Sequence, residues 1–171
     1  VEDRFGVRFR FKTEDDVGRK IFKRGTYDAE VSEFLKENLT FKAGDICLDI
    51  GANIGWYSLL LHKLMPTSGT IYSFEPDPLN YQLLCENIHL NDATNVAPVN
   101  NALSNEREVM KLYRYENKNL GRHSLLAINS SDYVDIETLI LDDYLTEQGV
   151  DFTKLNFAKI DIEGYEYFAL Q

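Results

Sequence analysis

An acidic residue and two glycines stand where a buried strand would run into a helix. Asp49 lies two positions before Gly51, and Gly55 follows four positions later. The apolar run Ile46–Ile50 predicts a buried parallel strand, and leucines at helical spacing after Trp56 predict a helix. Glycine lets a backbone approach a ligand closely, and the first N–H groups of a helix attract a carboxylate or a phosphate. This corner is therefore a candidate binding site for a small molecule.

The spacing of the glycines indicates which ligand the corner would hold. A dinucleotide-binding turn needs Gly-x-Gly-x-x-Gly, and here Asn53 and Trp56 occupy the second and third glycine positions. The acid at Asp49 suits a ligand that carries an ammonium and a sulfonium, and it suits a phosphate poorly. The pattern resembles the first motif of methyltransferases that use S-adenosylmethionine (SAM). An ordinary strand–turn–helix corner is the alternative for this stretch taken by itself.

Length and composition predict one globular domain. The chain has 171 residues, of which 44% are hydrophobic and 27% are charged. A net charge of −10 argues against binding to a phosphate backbone, so we expect no nucleic-acid partner. The two cysteines, Cys47 and Cys85, are interpreted as small core residues. No apolar run long enough for a membrane span and no signal peptide are visible, so we expect a cytoplasmic protein.

Residues 1–40 are predicted to form a strand and a helix that pack on the core. Alternation of apolar and polar residues predicts a half-buried strand over 5–11. The polar segment 13–25 predicts a surface loop. Asp28 is predicted to cap a helix with one apolar stripe, formed by Val31, Phe34, Leu35 and Leu39.

Residues 41–171 alternate between strand and helix patterns, which is typical of an α/β fold with a mostly parallel sheet flanked by helices. Core strands are predicted over 46–50, 70–74, 96–100 and 157–161, and helices after Trp56 and after Asp77-Pro78. Two further β segments are predicted over 108–115 and 133–141, with a short helix capped by Asp142 or Asp143.

Polar residues follow several of the predicted core strands. Glu75 lies 24 residues after Gly51, close to the separation at which an acid contacts a ribose in Rossmann-type folds. Asn101 and Asp161 follow two other strands. Ligands of parallel sheets bind beyond the carboxyl ends of the strands, where the strand order reverses. If the strand that ends at Asp161 neighbours the strand that contains Asp49, these residues open on one crevice.

Taken together, these segments resemble the FkbM-type SAM-dependent methyltransferases. The resemblance lies in Asp49–Gly55, Phe74–Pro76, Asn101–Ser104 and Lys159–Glu166, and Gly25–Glu30 is similar to the entry segment of that family. It implies a Rossmann-like class I methyltransferase fold, SAM as cofactor, and O-methylation of a hydroxyl on a sugar, glycan or other small natural product. Members of that family continue with further strands and helices, so we expect the C-terminal part to be incomplete after the fourth core strand.

The resemblance also implies which residues act. The implied cofactor-binding residues are Tyr27, Glu30, Asp49, Gly51, Ala52, Asn53, Gly55, Trp56, Glu75, Pro76, Asn101, Ala102 and Asp161. Asp161 is predicted as the carboxylate on the cofactor side, Glu163 as general base or acceptor-binding group, and His123 as an alternative base. Asp161 and Glu163 could instead only orient the methionine end and cap the last helix. No His or Cys cluster accompanies these acids, so no metal site is predicted.

Two other functions stay open from the sequence. The chain could be a SAM- or nucleotide-binding module without catalysis, or an NAD-dependent Rossmann enzyme, which the missing glycines disfavour. The expected partner is a small-molecule or glycan acceptor. The sequence identifies neither that acceptor nor the oligomeric state.

Overall fold

Six α-helices, a short 3₁₀ helix (Phe152–Lys154) and eight strands make up the regular structure of the described residues, which are 1–13, 15–114, 123–125 and 131–171 of a computed structural model. In chain order they are α1 (Asp16–Arg24), α2 (Ala29–Asn38), β1 (Ile46–Ile50), α3 (Trp56–Leu64), β2 (Thr70–Phe74), α4 (Pro78–Leu90), β3 (Val96–Val99), β4 (Ala102–Leu103), β5 (Val109–Arg114), β6 (His123–Ser124), β7 (Tyr133–Leu139), α5 (Leu141–Glu147), β8 (Leu155–Ile160) and α6 (Glu166–Ala169).

A parallel sheet with the strand order β3-β2-β1-β8 forms the centre of the fold. Strands β2 and β3 continue to one side of β1, whereas β8 pairs on its other side, with Ile50 opposite Ile160. The strand order therefore reverses at β1, and the switch point lies between β1 and β8. The predicted neighbourhood of these two strands is confirmed.

Helices cover both faces of this sheet. Alternate residues of a strand point to opposite faces, and those of β1 join two different apolar clusters. Cys47 packs in the cluster that contains Leu59 of α3, whereas Leu48 and Ile50 pack in the cluster that contains Leu145 of α5. Because both faces are covered, β1 is buried over its whole length. The predicted α/β fold, a mostly parallel sheet flanked by helices, is confirmed.

Helix α4 begins as the sequence predicted. The Asp77 carboxylate accepts the N–H groups of Leu79 and Asn80 at 2.8 and 3.2 Å, and Pro78 occupies the first helical position. This cap satisfies two of the N–H groups that a helix start leaves without a partner. The other carboxylate oxygen of Asp77 accepts Arg114 Nε at 2.8 Å, which connects α4 to β5.

A second, mixed sheet with the order β4-β7-β5-β6 lies between β3 and α5 in the chain. The predicted β segments over 108–115 and 133–141 correspond to β5 and β7, which pair antiparallel. The predicted cap of α5 is wrong, since the helix starts at Leu141 with Ile140 as its cap. Asp142 and Asp143 lie in the first turn instead, where negative charge is favourable.

The predicted N-terminal strand is wrong, and side chains explain why. Two asparagines, Asn87 of α4 and Asn91 directly after it, bond the backbone of this segment. The Asn91 amide bonds the N–H and C=O of Arg8 at 2.8 and 2.7 Å, and the Asn87 amide bonds those of Arg10 at 2.6 and 3.0 Å. Val7 and Phe9 are buried, as the alternation predicted, whereas Phe5 and Phe11 are only partly buried. Besides these amide contacts, the segment forms one isolated antiparallel bridge, between Arg8 and Glu2, and it joins neither sheet.

The segment predicted as a surface loop contains α1. Asp15 caps this helix by accepting the N–H groups of Val17 and Gly18 at 3.3 and 2.7 Å. Only Val17, Gly18 and Ile21 of the helix are buried. Three residues are too few to give a recognisable helical pattern in a mostly polar sequence, so the helix was not predicted. A Cβ at Gly18 would lie 2.1 Å from Phe11 Cγ, so glycine is needed for this contact.

Helix α2 is confirmed, but its packing differs from the prediction. Only Ser32 and Leu35 are buried, whereas Val31 and Phe34 of the predicted stripe are 43% and 60% exposed. Asp28 forms no side-chain cap, because its carboxylate accepts the Tyr57 hydroxyl of α3 at 2.8 Å.

The division of the chain at residue 40 stays a prediction. Within the described residues, every helix is too short or too polar to cross a membrane.

Replacing Asn87 should destabilise the fold, because its buried amide joins three segments. Besides Arg10, the amide donates to the Ile54 carbonyl oxygen at 2.9 Å. We expect Asn87→Ala to lower the free energy of unfolding by about 2–3 kcal/mol, since it leaves buried backbone groups without partners. Urea denaturation measures the difference. The exposed Gln82 on the same helix is the control, and Gln82→Ala should change stability by less than about 0.5 kcal/mol. Equal effects of the two variants would contradict this role of Asn87.

Candidate functional site

A crevice opens at the carboxyl ends of the parallel strands. Its lining includes Gly51 after β1, Glu75 after β2, Asn101 after β3 and Asp161 after β8. The Asp161 N–H donates to the Ile50 carbonyl oxygen at 3.0 Å, so the ends of β1 and β8 are in direct contact. The structure thus brings together the four strand ends that the sequence pointed to.

Most of the predicted cofactor-binding residues line this crevice, and three do not. Those that line it are Tyr27, Gly51, Ala52, Asn53, Trp56, Glu75, Pro76, Asn101, Ala102 and Asp161, and the predicted base Glu163 lines it as well. Asp49 and Gly55 are buried without lining the crevice, and Glu30 is exposed on α2. His123 lies in β6, where its backbone pairs with that of Arg114 in β5. The side chain of His123 lies outside the described part of the structure.

The glycines are required by contacts within the protein. At Gly51, with φ of 79°, a Cβ would lie 2.0 Å from the Asp161 carbonyl oxygen. At Gly55, with φ of 94°, a Cβ would lie 2.7 Å from Leu84 Cδ1. Gly55 does not line the crevice, and its lack of a side chain lets α3 and α4 pack together. Its part in cofactor binding stays a prediction. Gly51 does line the crevice, but its contact with β8 alone excludes a side chain.

Glu75 is buried at the end of β2 and holds two backbone segments. Its Oε2 accepts the Asn53 N–H of the glycine turn at 2.7 Å, and its Oε1 accepts the Asp77 N–H before α4 at 2.9 Å. Burial raises the pKa of Glu75 to about 7, although the two hydrogen bonds act in the opposite direction. Each carboxylate oxygen has a second lone pair, so Glu75 can also accept hydrogen bonds from a ligand.

Lys159 of β8 is a site residue that sequence reasoning missed. Its ammonium donates to the Gly51 carbonyl oxygen at 2.8 Å and lies 3.4 Å from Asp49 Oδ1. The other Asp49 oxygen accepts the Ser58 hydroxyl at 2.6 Å, so the buried carboxylate is neutralised and hydrogen-bonded. A signal existed in the sequence, because Lys159 and Asp161 are two positions apart and share one side of an extended chain.

The walls of the crevice are apolar and aromatic. Leu103, Leu112 and Leu125 line it from the side of the second sheet. On the opposite side Trp56 and Tyr57 line it, and both are anchored to the N-terminal region. Trp56 Nε1 donates to Ser32 at 3.2 Å, and the Tyr57 hydroxyl donates to Asp28 at 2.8 Å. Apart from Trp56, these wall residues escaped the sequence reasoning, because the positions of the second sheet and of Tyr57 depend on tertiary packing.

Two carboxylates lie on a turn at the mouth of the crevice. Strand β8 ends at Ile160, and the chain then turns through Glu163 and Gly164, with φ of 54° and 96°. Asp161 and Glu163 are both exposed and both line the crevice. The pKa of Tyr27 on the facing wall is raised by burial first, and then by nearby carboxylates including Asp161 and Glu163. This end of the crevice therefore suits a cationic or hydroxyl-bearing ligand.

In the described ranges, no group of three or more His, Cys, Asp and Glu side chains is arranged to hold a metal ion. The titratable side chains among the described residues that line the crevice are Tyr27, Tyr57, Glu75, Lys159, Asp161 and Glu163.

Comparisons with known proteins relate this chain to methyltransferases. The sequence profile described as the methyltransferase FkbM domain matches residues 49–171. The hexuronic acid methyltransferase AglP of Haloferax volcanii is 26% identical over 167 residues, which cover 98% of this chain and 64% of that protein. The methyltransferase sdnD of Sordaria araneosa is 29% identical over 155 residues, covering 72% of this chain and 58% of that protein.

A solved structure adds to these sequence comparisons. The methyltransferase FkbM from Methylobacillus flagellatus KT matches with a TM-score of 0.51 and 20% identity, over 78% of this chain and 30% of that chain. At this identity the match shows the fold, which is the class I methyltransferase fold that the sequence predicted. The chain spans less than two thirds of the length of these relatives.

The raised pKa of Glu75 should make stability depend on pH. A carboxyl group whose pKa is about 7 in the folded state and 4.5 in the unfolded state binds more protons when folded, so stability falls as pH rises between these values. Relative to Glu75→Gln, the parent should lose about 3 kcal/mol of unfolding free energy between about pH 4 and about pH 8. Urea denaturation across this range measures the difference. A flat difference between the parent and Glu75→Gln across this range would refute the assignment.

Proposed function

The chain belongs to the methyltransferase FkbM domain family, and we propose that it is a SAM-dependent methyltransferase that acts on a hydroxyl oxygen. The observation that carries this proposal is the single crevice in which the Gly51 turn, Glu75 and the acids Asp161 and Glu163 meet. Bound SAM supplies an electrophilic methyl group on a sulfonium. The protein then has to bind the cofactor, to orient it, and to remove a proton from the acceptor.

The residues at the end of β2 fit the ribose of such a cofactor. Two neighbouring hydroxyls can donate to one carboxylate, and the Glu75 oxygens retain lone pairs after accepting the N–H groups of Asn53 and Asp77. The apolar wall formed by Leu103, Leu112 and Leu125 suits a purine ring. A pyrophosphate would meet the Glu75 and Asp161 carboxylates, which supports SAM over NAD.

The acidic turn fits the other end of the cofactor and the acceptor. Asp161 follows β8 directly and is proposed to accept a hydrogen bond from the ammonium of SAM. Glu163 is proposed as the general base that takes the proton from the acceptor hydroxyl, because it lines the same crevice and is exposed to solvent. His123 stays the alternative base.

A sugar or glycan is the proposed acceptor class. The hexuronic acid methyltransferase of Haloferax volcanii aligns over 98% of this chain, which supports a sugar hydroxyl as the methylated group. The expectations of a cytoplasmic location and of no nucleic-acid substrate stay predictions. A cofactor-binding module without catalysis is the alternative, and it would bind SAM without transferring the methyl group.

Titration of SAM, of its demethylated product and of NAD by calorimetry tests the cofactor assignment. The parent should bind the first two and not NAD. Glu75→Ala should weaken SAM binding by about 1.5–3 kcal/mol, the range for a hydrogen bond to a charged group. The exposed Asp142→Ala carries the same change of charge outside the crevice and should bind as the parent does. NAD binding by the parent, or SAM binding by Glu75→Ala at parental strength, would contradict the assignment.

Labelled SAM offered with a panel of uronic acids and other sugars tests the transfer. Glu163→Gln should lower turnover by about 10²–10⁴-fold while SAM affinity stays near the parental value, because loss of a general base affects the chemical step. Asp161→Asn should show the opposite pattern, with a larger loss of SAM affinity. If Glu163→Gln keeps full turnover, Glu163 is not the base and His123 becomes the next candidate. A parent that binds SAM but methylates nothing in a whole-cell extract would support the binding module.

A further inference from the structure

Glu166 bonds the backbone of the turn that carries the two crevice acids. Its Oε1 accepts the Ile162 N–H at 3.0 Å and the Gly164 N–H at 3.3 Å. These N–H groups lie on either side of Glu163, which has the left-handed φ of 54°. A residue other than glycine adopts this conformation only at a cost in energy, so surrounding contacts must hold it in place. The Glu166 carboxylate supplies two of those contacts.

The neighbouring Tyr165 fixes the other side of the same turn. Its ring is buried and stacks on Phe168 with ring centroids 4.7 Å apart. Its hydroxyl lies 3.4 Å from Ser104 Oγ and 3.5 Å from Met110 Sδ, next to β4 and in β5. Tyr165 thus attaches the end of the turn to the second sheet, while Glu166 closes the turn on itself.

We propose that Glu166 is a positioning residue that holds the Asp161–Gly164 turn so that the Glu163 carboxylate faces the crevice. This inference rests on the proposed function, because it concerns the placement of the proposed base. Glu166 does not line the crevice. It therefore acts on the reaction only through the turn, and the atom that matters is the acceptor oxygen that both N–H groups share.

The surroundings of Glu166 favour this role over a role as the base. Burial raises the pKa of its carboxyl group, but the backbone N–H groups of Glu166, Ile162 and Gly164 outweigh burial, and the net pKa is lower than usual. A carboxylate that already accepts these hydrogen bonds is a weak base. Glu163 carries the function of proton removal, and Glu166 determines where Glu163 lies.

Two variants of Glu166 separate the effect of side-chain length from the effect of charge. Glu166→Gln keeps the length and one acceptor oxygen and removes the charge. Glu166→Asp keeps the charge, but its carboxylate is set back by about 1.5 Å, the length of one carbon–carbon bond. If the residue positions the turn, Glu166→Gln should turn over within about 3-fold of the parent, whereas Glu166→Asp should fall by about 10-fold or more, because a small displacement of a reacting group is costly. SAM affinity should stay within about 3-fold of the parent in both, because Asp161 is held by the bond of its N–H to the Ile50 carbonyl oxygen and not by Glu166.

Amide hydrogen exchange of the peptide 161–166 provides a readout that needs no acceptor. The Ile162 and Gly164 N–H groups should exchange about 10-fold faster in Glu166→Asp than in the parent, and at nearly the parental rate in Glu166→Gln. Parental exchange in Glu166→Asp would overturn the proposal. A larger loss of turnover in Glu166→Gln than in Glu166→Asp would also overturn it, because turnover would then depend on the charge of the side chain and not on its length. A parent that binds no SAM refutes the proposed function, and the exchange rates would still decide whether Glu166 holds the turn.

Discussion

The contact between the backbones of Gly51 and Asp161 is the constraint on which the site depends. No side chain fits at position 51, because a Cβ there would lie 2.0 Å from the Asp161 carbonyl oxygen. This close approach lets β8 pair with β1 up to its last residue and brings the acidic turn next to the glycine turn. Lys159 reinforces the contact, since its ammonium reaches from β8 to the Gly51 carbonyl oxygen. The two motifs, more than a hundred residues apart in the chain, form one crevice as a consequence.

Charge is distributed in this crevice according to burial. Asp49 is fully buried, and it is balanced by Lys159 and hydrogen-bonded to Ser58. Glu75 is buried without a direct cationic partner, so its pKa rises to about 7. Asp161 and Glu163 stay exposed at the mouth. An acid beneath the site thus supports the glycine turn, an acid at the strand end is held by backbone N–H groups, and the exposed acids remain able to meet a ligand.

Sequence patterns predicted the parts of the fold whose signal is local. The strand 46–50, the Asp77-Pro78 helix start and the run into Asp161 each combine periodicity with a boundary residue, and all were correct. The N-terminal segment was misassigned because its partners, Asn87 and Asn91, lie far away in the sequence and are not strands. For the same reason the leucines of the second sheet and the contacts of Tyr57 could not be predicted. Glu30 was placed in the site by resemblance alone, and the structure leaves it exposed on α2.

The location of each acid relative to regular structure bears on what it can do. Glu75 ends a strand and is held by two backbone N–H groups, which keeps its position fixed and suits the binding of a rigid ribose. Glu163 lies on a turn in a left-handed conformation, beyond the last hydrogen bond of β8. A group there has no ladder of strand bonds to hold it, so its placement depends on the turn's own contacts. A base must meet the acceptor hydroxyl within hydrogen-bonding distance. The contacts of Glu166 and Tyr165 within and beside that turn are therefore as much a part of the site as the residues that line it.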